Sequence, residues 1–157
     1  MGIVLFVCTG NTCRSPMAAA WFRHLCEQDG LDWTAESAGL DAFPGDEASV
    51  SARQVLAAVG CDLSKHAARR FSSYLADETD LIVVMNRDHL SQVLELAPGA
   101  AGKTRLLMSY SAAGSDRAVP DPFGGGRPEY ERCFRMMQEP LENLKNSLKN
   151  IKPTRKG

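Results

Sequence analysis

The sequence predicts an α/β fold: a single domain with a doubly wound parallel sheet flanked by helices. Three observations carry this. The apolar run Ile3-Val4-Leu5-Phe6-Val7 passes through a short polar loop into an Ala-rich helical pattern. Leu81-Ile82-Val83-Val84-Met85 is apolar at every position, as expected of a parallel strand covered on both faces. Strand and helix patterns then alternate along the chain, which implies right-handed crossovers. Ligands in such sheets lie beyond the carboxyl ends of the strands, so the loop after strand one is the first place to look for a site.

Strand one spans about Gly2 to Val7. Helix one runs from about Pro16 to Asp29, with Ser15 as N-cap, Pro16 at the first position and Gly30 as the stop. A second, short strand lies near Trp33 to Ala38. Asp41 to Glu47 contains Phe43-Pro44-Gly45 and reads as a loop. Ala48 to Val59 is an amphipathic helix stopped by Gly60. Leu81 to Met85 is the third strand. Asn86 caps a helix that reaches about Leu96, before Pro98-Gly99. Arg105 to Met108 is the fourth strand. The last helix starts near Pro128, and its apolar residues Cys133, Phe134, Met137, Leu141, Leu144 and Leu148 recur at three and four residues. Pro140 lies inside it and predicts a kink.

The chain has 157 residues, enough for one domain with a real core. No repeat or linker divides it, so residues 1–150 form the domain and 151–157 a basic, flexible tail. The net charge of −1 gives no global case for nucleic acid or a membrane surface. No apolar run reaches the roughly 20 residues that span a bilayer, and no basic segment precedes the first apolar run, which argues against a signal peptide. The five cysteines have neither an even count nor zinc-type spacing. They read as thiols in a reducing cytoplasm. No metal or other cofactor is expected.

Between strand one and helix one stands Cys8-Thr9-Gly10-Asn11-Thr12-Cys13-Arg14-Ser15. A loop that ends at a helix N-terminus turns several backbone N–H groups toward one point, where the helix dipole also favours negative charge. Such a cradle suits a phosphate. A Cys8 thiol among N–H dipoles and a guanidinium should ionise more easily, and the thiolate is the nucleophile. Arg14 can grip two phosphate oxygens with its planar fork. Gly10 removes a Cβ where the backbone must approach the ligand.

A leaving group needs a proton, and Asp121 in Val119-Pro120-Asp121-Pro122-Phe123-Gly124-Gly125-Gly126 can supply one. Two prolines stiffen the backbone around it. Beside a phosphate dianion its pKa should rise, so it could donate to the leaving atom and then take a proton from water.

These stretches resemble the low-molecular-weight protein tyrosine phosphatase family over nearly the whole chain. The similarity is carried by Val7 to Ala18, by Ser37-Ala38-Gly39 and by Asp121-Pro122-Phe123. It implies a four-stranded parallel sheet flanked by helices. It also implies a nucleophilic Cys8 that forms a thiophosphoryl intermediate, a phosphoryl-binding Arg14 and a general acid Asp121. Thr9, Gly10, Asn11, Thr12, Cys13, Ser15 and Phe123 would line the phosphate and substrate site. Asn11, Ser15 and Ser37 would hold the loop and stabilise the thiolate. The partner is a phosphorylated protein.

Thr12 and Asp-Pro-Phe-Gly-Gly look more like the bacterial protein-arginine phosphatases of that family than its tyrosine-directed members. A small hydroxylated Thr12 suits a guanidinium better than a phenol, and Gly124 leaves Phe123 as the one aromatic wall after the acid. Phosphotyrosine is the alternative. A thioredoxin-coupled arsenate reductase would need resolving cysteines near the Leu81 strand, and Leu81 to Ala97 has none. A non-catalytic phosphate-binding module would not need both Cys8 and Asp121. Cys13 is either a structural thiol or a reversible disulfide partner of Cys8 under oxidation. His66 and Arg69 have a supporting or core role rather than a catalytic one, Phe43 lines the pocket mouth or anchors its loop, and Trp21 and Phe22 pack a helix on the sheet. His24 and His89 read as ordinary helix residues.

Overall fold

The computed structural model describes residues 1–112 and 117–153. Its sheet has four parallel strands in the order β2-β1-β3-β4. They are β1 (Gly2–Cys8), β2 (Trp33–Gly39), β3 (Leu81–Val84) and β4 (Thr104–Leu106). The helices are α1 (Arg14–Gln28), α2 (Val50–Ala57), α3 (Ser73–Asp77), α4 (Arg87–Leu96) and α5 (Arg127–Leu148).

The apolar run of β1 explains its central place. Val4, Phe6 and Cys8 face one layer of core with α1 and α5, while Leu5 and Val7 face a second with Phe71, Ile82 and Val93. Both faces are covered, so alternation is lost from the sequence. On the larger layer Phe6 meets Phe22 edge-on at 5.6 Å, and Trp21 meets Phe134 of α5 at 5.5 Å. All six apolar positions expected on α5 are buried. Buried Lys145 of α5 reaches Asp29 at the end of α1 at 2.9 Å, which ties the two helices together.

Several boundaries differ from the sequence reading. α1 begins at Arg14, so Ser15 lies inside its first turn and does not cap it; Cys13 occupies the cap position without a side-chain cap bond. The loop tightens into the helix early because Arg14 and Ser15 are both drawn inward and buried. α2 is shorter than Ala48 to Val59. α3 has five residues, too few to show a period, and is capped by Ser72. β4 ends at Leu106, because Leu107–Tyr110 wind into a 3-10 turn. α5 continues through Pro140 as one helix. The start of the expected tail is held: Trp33 Nε1 donates to the carbonyl of Ile151 at 3.2 Å. Residues 154–157 lie outside the described residues. Among the described residues no helix is long and apolar enough to cross a membrane.

Candidate active site

The loop from Cys8 to Arg14 sits at the carboxyl end of the central strand. Its conformation is set by contacts from chain segments far away in sequence. The end of β2 presses against it: Leu40 and Asp41 donate their N–H groups to the carbonyls of Cys8 and Thr9, each at 2.9 Å. A Cβ on Gly39 would lie 2.6 Å from the Thr9 carbonyl oxygen and 2.9 Å from the Asn11 nitrogen, so only glycine permits this approach. At Gly10, by contrast, the protein leaves open space; a Cβ there would meet only Thr12 Oγ1, at 3.7 Å. Any constraint on Gly10 comes from the ligand side.

Asn11 is the strained point of the loop, with φ of 57°. Three contacts hold it there. Its Oδ1 accepts the Arg69 N–H at 3.0 Å. Its carbonyl lies 2.7 Å from His66 Nε2. Its Nδ2 donates to Ser15 Oγ at 2.9 Å. Since that oxygen accepts from Asn11, its own hydrogen is left for Cys8 Sγ, 2.9 Å away. Asn11 and Ser15 are fully buried, and Cys8 is 2 % exposed.

This enclosure acts against the expected ease of ionisation. Burial pushes the Cys8 thiol above its ordinary range, and hydrogen bonds from Ser15, the Arg14 charge and the Asn11 N–H pull it back down. The sequence shows the groups that stabilise a thiolate but not the loss of water around it.

Arg14 is buried. Its Nη1 donates to the Val119 carbonyl at 3.1 Å, and its Nη2 stands 3.6 Å from Asp121 Oδ2. The acid loop is fixed at both ends of this contact. Val119 donates its N–H to the carbonyl of Met85, just beyond β3, at 2.9 Å, and Asp121 Oδ1 accepts the Phe123 N–H at 3.0 Å. The Asp121 carboxylate itself is half exposed.

One cavity of about 380 Å³ gathers these groups: Cys8, Thr9, Gly10, Thr12, Cys13, Arg14 and Asp121, with Phe123 at its rim. Phe43 does line its mouth, and Asp41 and Asp46 join it from the same loop. Ser37 does not take the expected place. It lines a separate cavity of about 330 Å³ behind the loop, with Arg23, His66 and Arg69. It contributes through its backbone, where its carbonyl accepts Arg69 Nε at 3.0 Å.

Cys13 and Cys8 are both free thiols. Cys13 Sγ lies 3.1 Å from the Tyr130 hydroxyl and 3.5 Å from Ser49 Oγ. Burial and the Cys13 contact push the Tyr130 hydroxyl up to about 12, so it stays protonated. His89 departs from the ordinary helix residue expected of it. It is buried, with Nε2 2.9 Å from Thr9 Oγ1. Burial and the Arg14 charge hold its imidazole down to about 4, so it is neutral. Helical spacing placed His89 on α4, but only the fold brings it to the loop.

A thiol at the base of a cradle, a buried guanidinium and a carboxylate in one cavity form a set for phosphoryl transfer through sulfur. The family model described as low molecular weight phosphotyrosine protein phosphatase matches residues 3–154. A low molecular weight protein-tyrosine-phosphatase of Streptomyces coelicolor is 44% identical over 142 residues, covering 86% of either chain. A protein-arginine-phosphatase of Bacillus subtilis is 34% identical over 146 residues, covering 93% of this chain and 96% of the relative. Among solved structures, a variant of the arginine phosphatase YwlE with a phosphorylated active-site serine superposes with a TM-score of 0.90. It is 33% identical and covers 96% of this chain and 97% of its own. The low molecular weight protein tyrosine phosphatase of T. tengcongensis gives 0.89 at 34% identity, with 94% and 100% covered. The chain therefore belongs to the low molecular weight phosphotyrosine protein phosphatase family, and is a cysteine-dependent protein phosphatase.

Proposed function

We propose that the chain removes phosphoryl groups from arginine side chains of proteins in the cytoplasm. Cys8 Sγ, deprotonated as the thiolate, attacks phosphorus as the P–N bond to the guanidinium nitrogen breaks. Asp121 gives its proton to that nitrogen, and a thiophosphoryl-Cys8 remains. Water then attacks phosphorus, Asp121 takes its proton, the P–S bond breaks, and inorganic phosphate leaves. Arg14 and the loop N–H groups hold the phosphoryl oxygens through both steps. Asn11 and Ser15 hold the loop and hydrogen-bond the thiolate.

The observation that carries the choice of arginine is the polar wall of the cavity. Thr12 lines it, and Asp41 and Asp46 stand with Asp121 around the same opening. The Asp41 and Asp46 carboxylates favour a planar cation and offer acceptors to its N–H groups, while Asp121 serves as the acid. The resemblance to the Bacillus relative points the same way. Phosphotyrosine is the second reading, supported by the Streptomyces relative and by the Phe43 and Phe123 rings at the rim, which could flank a phenol. Measuring kcat/KM on phosphoarginine and phosphotyrosine versions of one peptide decides between them. Higher kcat/KM on phosphoarginine supports the first reading, and the reverse order establishes the second.

A further inference from the structure

Thr9 and His89 make a polar contact in the cavity that the reaction as described does not use. His89 lies in the first turn of α4, where its own N–H is received by the capping Asn86 Oδ1 at 2.7 Å. The backbone beneath the ring is therefore fixed. The ring is 2 % exposed, its Nε2 lies 2.9 Å from Thr9 Oγ1, and its Nδ1 is buried with no hydrogen-bond partner among the described residues. Thr9, in contrast, is exposed and lines the cavity above Cys8.

The orphaned Nδ1 selects between the two neutral tautomers. If Nδ1 carried the hydrogen, a buried N–H would have no acceptor, and the Thr9 hydroxyl hydrogen would be turned away from the cavity toward Nε2. Buried N–H groups without an acceptor are rarer than acceptors lacking one of their donors. With the hydrogen on Nε2, His89 donates to Thr9 Oγ1, and the Thr9 hydroxyl hydrogen remains to serve the cavity. We infer that His89 is a positioning residue that holds the Thr9 hydroxyl as an added side-chain donor to the substrate's phosphoryl group. Burial and the neighbouring Arg14 keep the ring neutral, against the opposing pull of Asp121 and Asp88. The donor is thus in place throughout the neutral range.

The inference rests on the reading that the Cys8 cradle takes a phosphoryl group, whatever side chain carries it. An aryl phosphate is therefore the probe, and loss of turnover in Cys8→Ser tests that underlying reading separately. Thr9→Val removes the hydroxyl at constant shape, and His89→Phe removes the donor at similar volume. Each should lower kcat/KM by about 10- to 100-fold, the scale of one hydrogen bond to a charged group. Inhibition by inorganic phosphate should weaken in both. The double variant should fall little further than either single one, because both remove the same interaction. Thr9→Ser should keep most of the activity, and His89→Gln, which retains an N–H donor, should recover part of it. Nitrogen NMR of labelled protein should show a protonated Nε2 and a bare Nδ1. Wild-type kcat/KM in Thr9→Val, additive losses in the double variant, or a protonated Nδ1 would each overturn the assignment. Should His89→Phe fail to fold, the Thr9 variants and the tautomer measurement still decide it.

Discussion

Cys8, Arg14 and Asp121 carry the sharpest expectations at the level of single residues. Cys8→Ser should lose turnover while still binding phosphate, since the cradle survives and a hydroxyl is a far poorer nucleophile. Phosphate binding by calorimetry, beside a blank activity assay, checks this. Asp121→Asn should slow substrates with poor leaving groups by roughly 10²–10⁴, and an activated aryl phosphate much less. Equal losses on both would leave Asp121 with a positioning role only. Thr12→Ile removes the hydroxyl from the cavity wall and adds apolar surface. The ratio of kcat/KM for phosphoarginine over phosphotyrosine should fall by roughly 10–200-fold; an unchanged ratio would remove Thr12 from the basis of selectivity. The cradle was legible because it is local: eight consecutive residues carry the thiol, the turn and the guanidinium. Its supports were not. His66, His89 and Tyr130 touch the loop across 55, 80 and 117 residues of chain, and no periodicity encodes such pairings. Ser37 was misplaced for the same reason, since only the fold shows that its carbonyl, not its hydroxyl, is used.

Among the secondary-structure elements, strand ends and helix starts do the positioning. Asn86 caps α4 and fixes His89, so Asn86→Ala should lower stability by about 0.5–2 kcal/mol. Denaturant unfolding followed by circular dichroism measures that. Gly39, at the end of β2, has no room for a methyl group against the Thr9 carbonyl. Gly39→Ala should force the phosphate loop to move, at about 1–3 kcal/mol of stability, and activity should fall even where the protein remains folded. Normal kcat in a folded Gly39→Ala protein would show that the loop tolerates displacement. The strands and long helices were readable from runs and periods. The boundaries that moved are those where tertiary contacts extend or cut an element. Burial of Arg14 and Ser15 pulls α1 forward, and the turn at Leu107 cuts β4 short. Pro140 lies within α5, whose buried apolar face runs along the helix on both sides of it.

Acid should weaken the molecule as a whole through its histidines. His89 is held down to about 4 from an ordinary 6.5, and burial lowers His66 as well. In the unfolded chain both rings take up protons near 6.5. Between there and about pH 4 the unfolded state binds more protons, so stability present at neutral pH is lost as pH falls. Melting temperatures at about pH 7.5 and about pH 4.5 should show the drop, and His89→Gln should narrow it. A flat profile would mean that neither ring is buried in the working protein.

The cradle is tied to β2, to the Arg69 segment, to α4, to the acid loop and to α5. No fragment of the chain contains it, so an anion can select only the completely folded state. Site occupancy and global stability are then one linked equilibrium. Inorganic phosphate at about 100 times its dissociation constant should add about 2.7 kcal/mol to the unfolding free energy. The inert Cys8→Ser protein should show the same gain. Its melting curve would then report ligand affinity with no turnover at all, and cells holding phosphate at such levels would hold the enzyme folded by the product it releases.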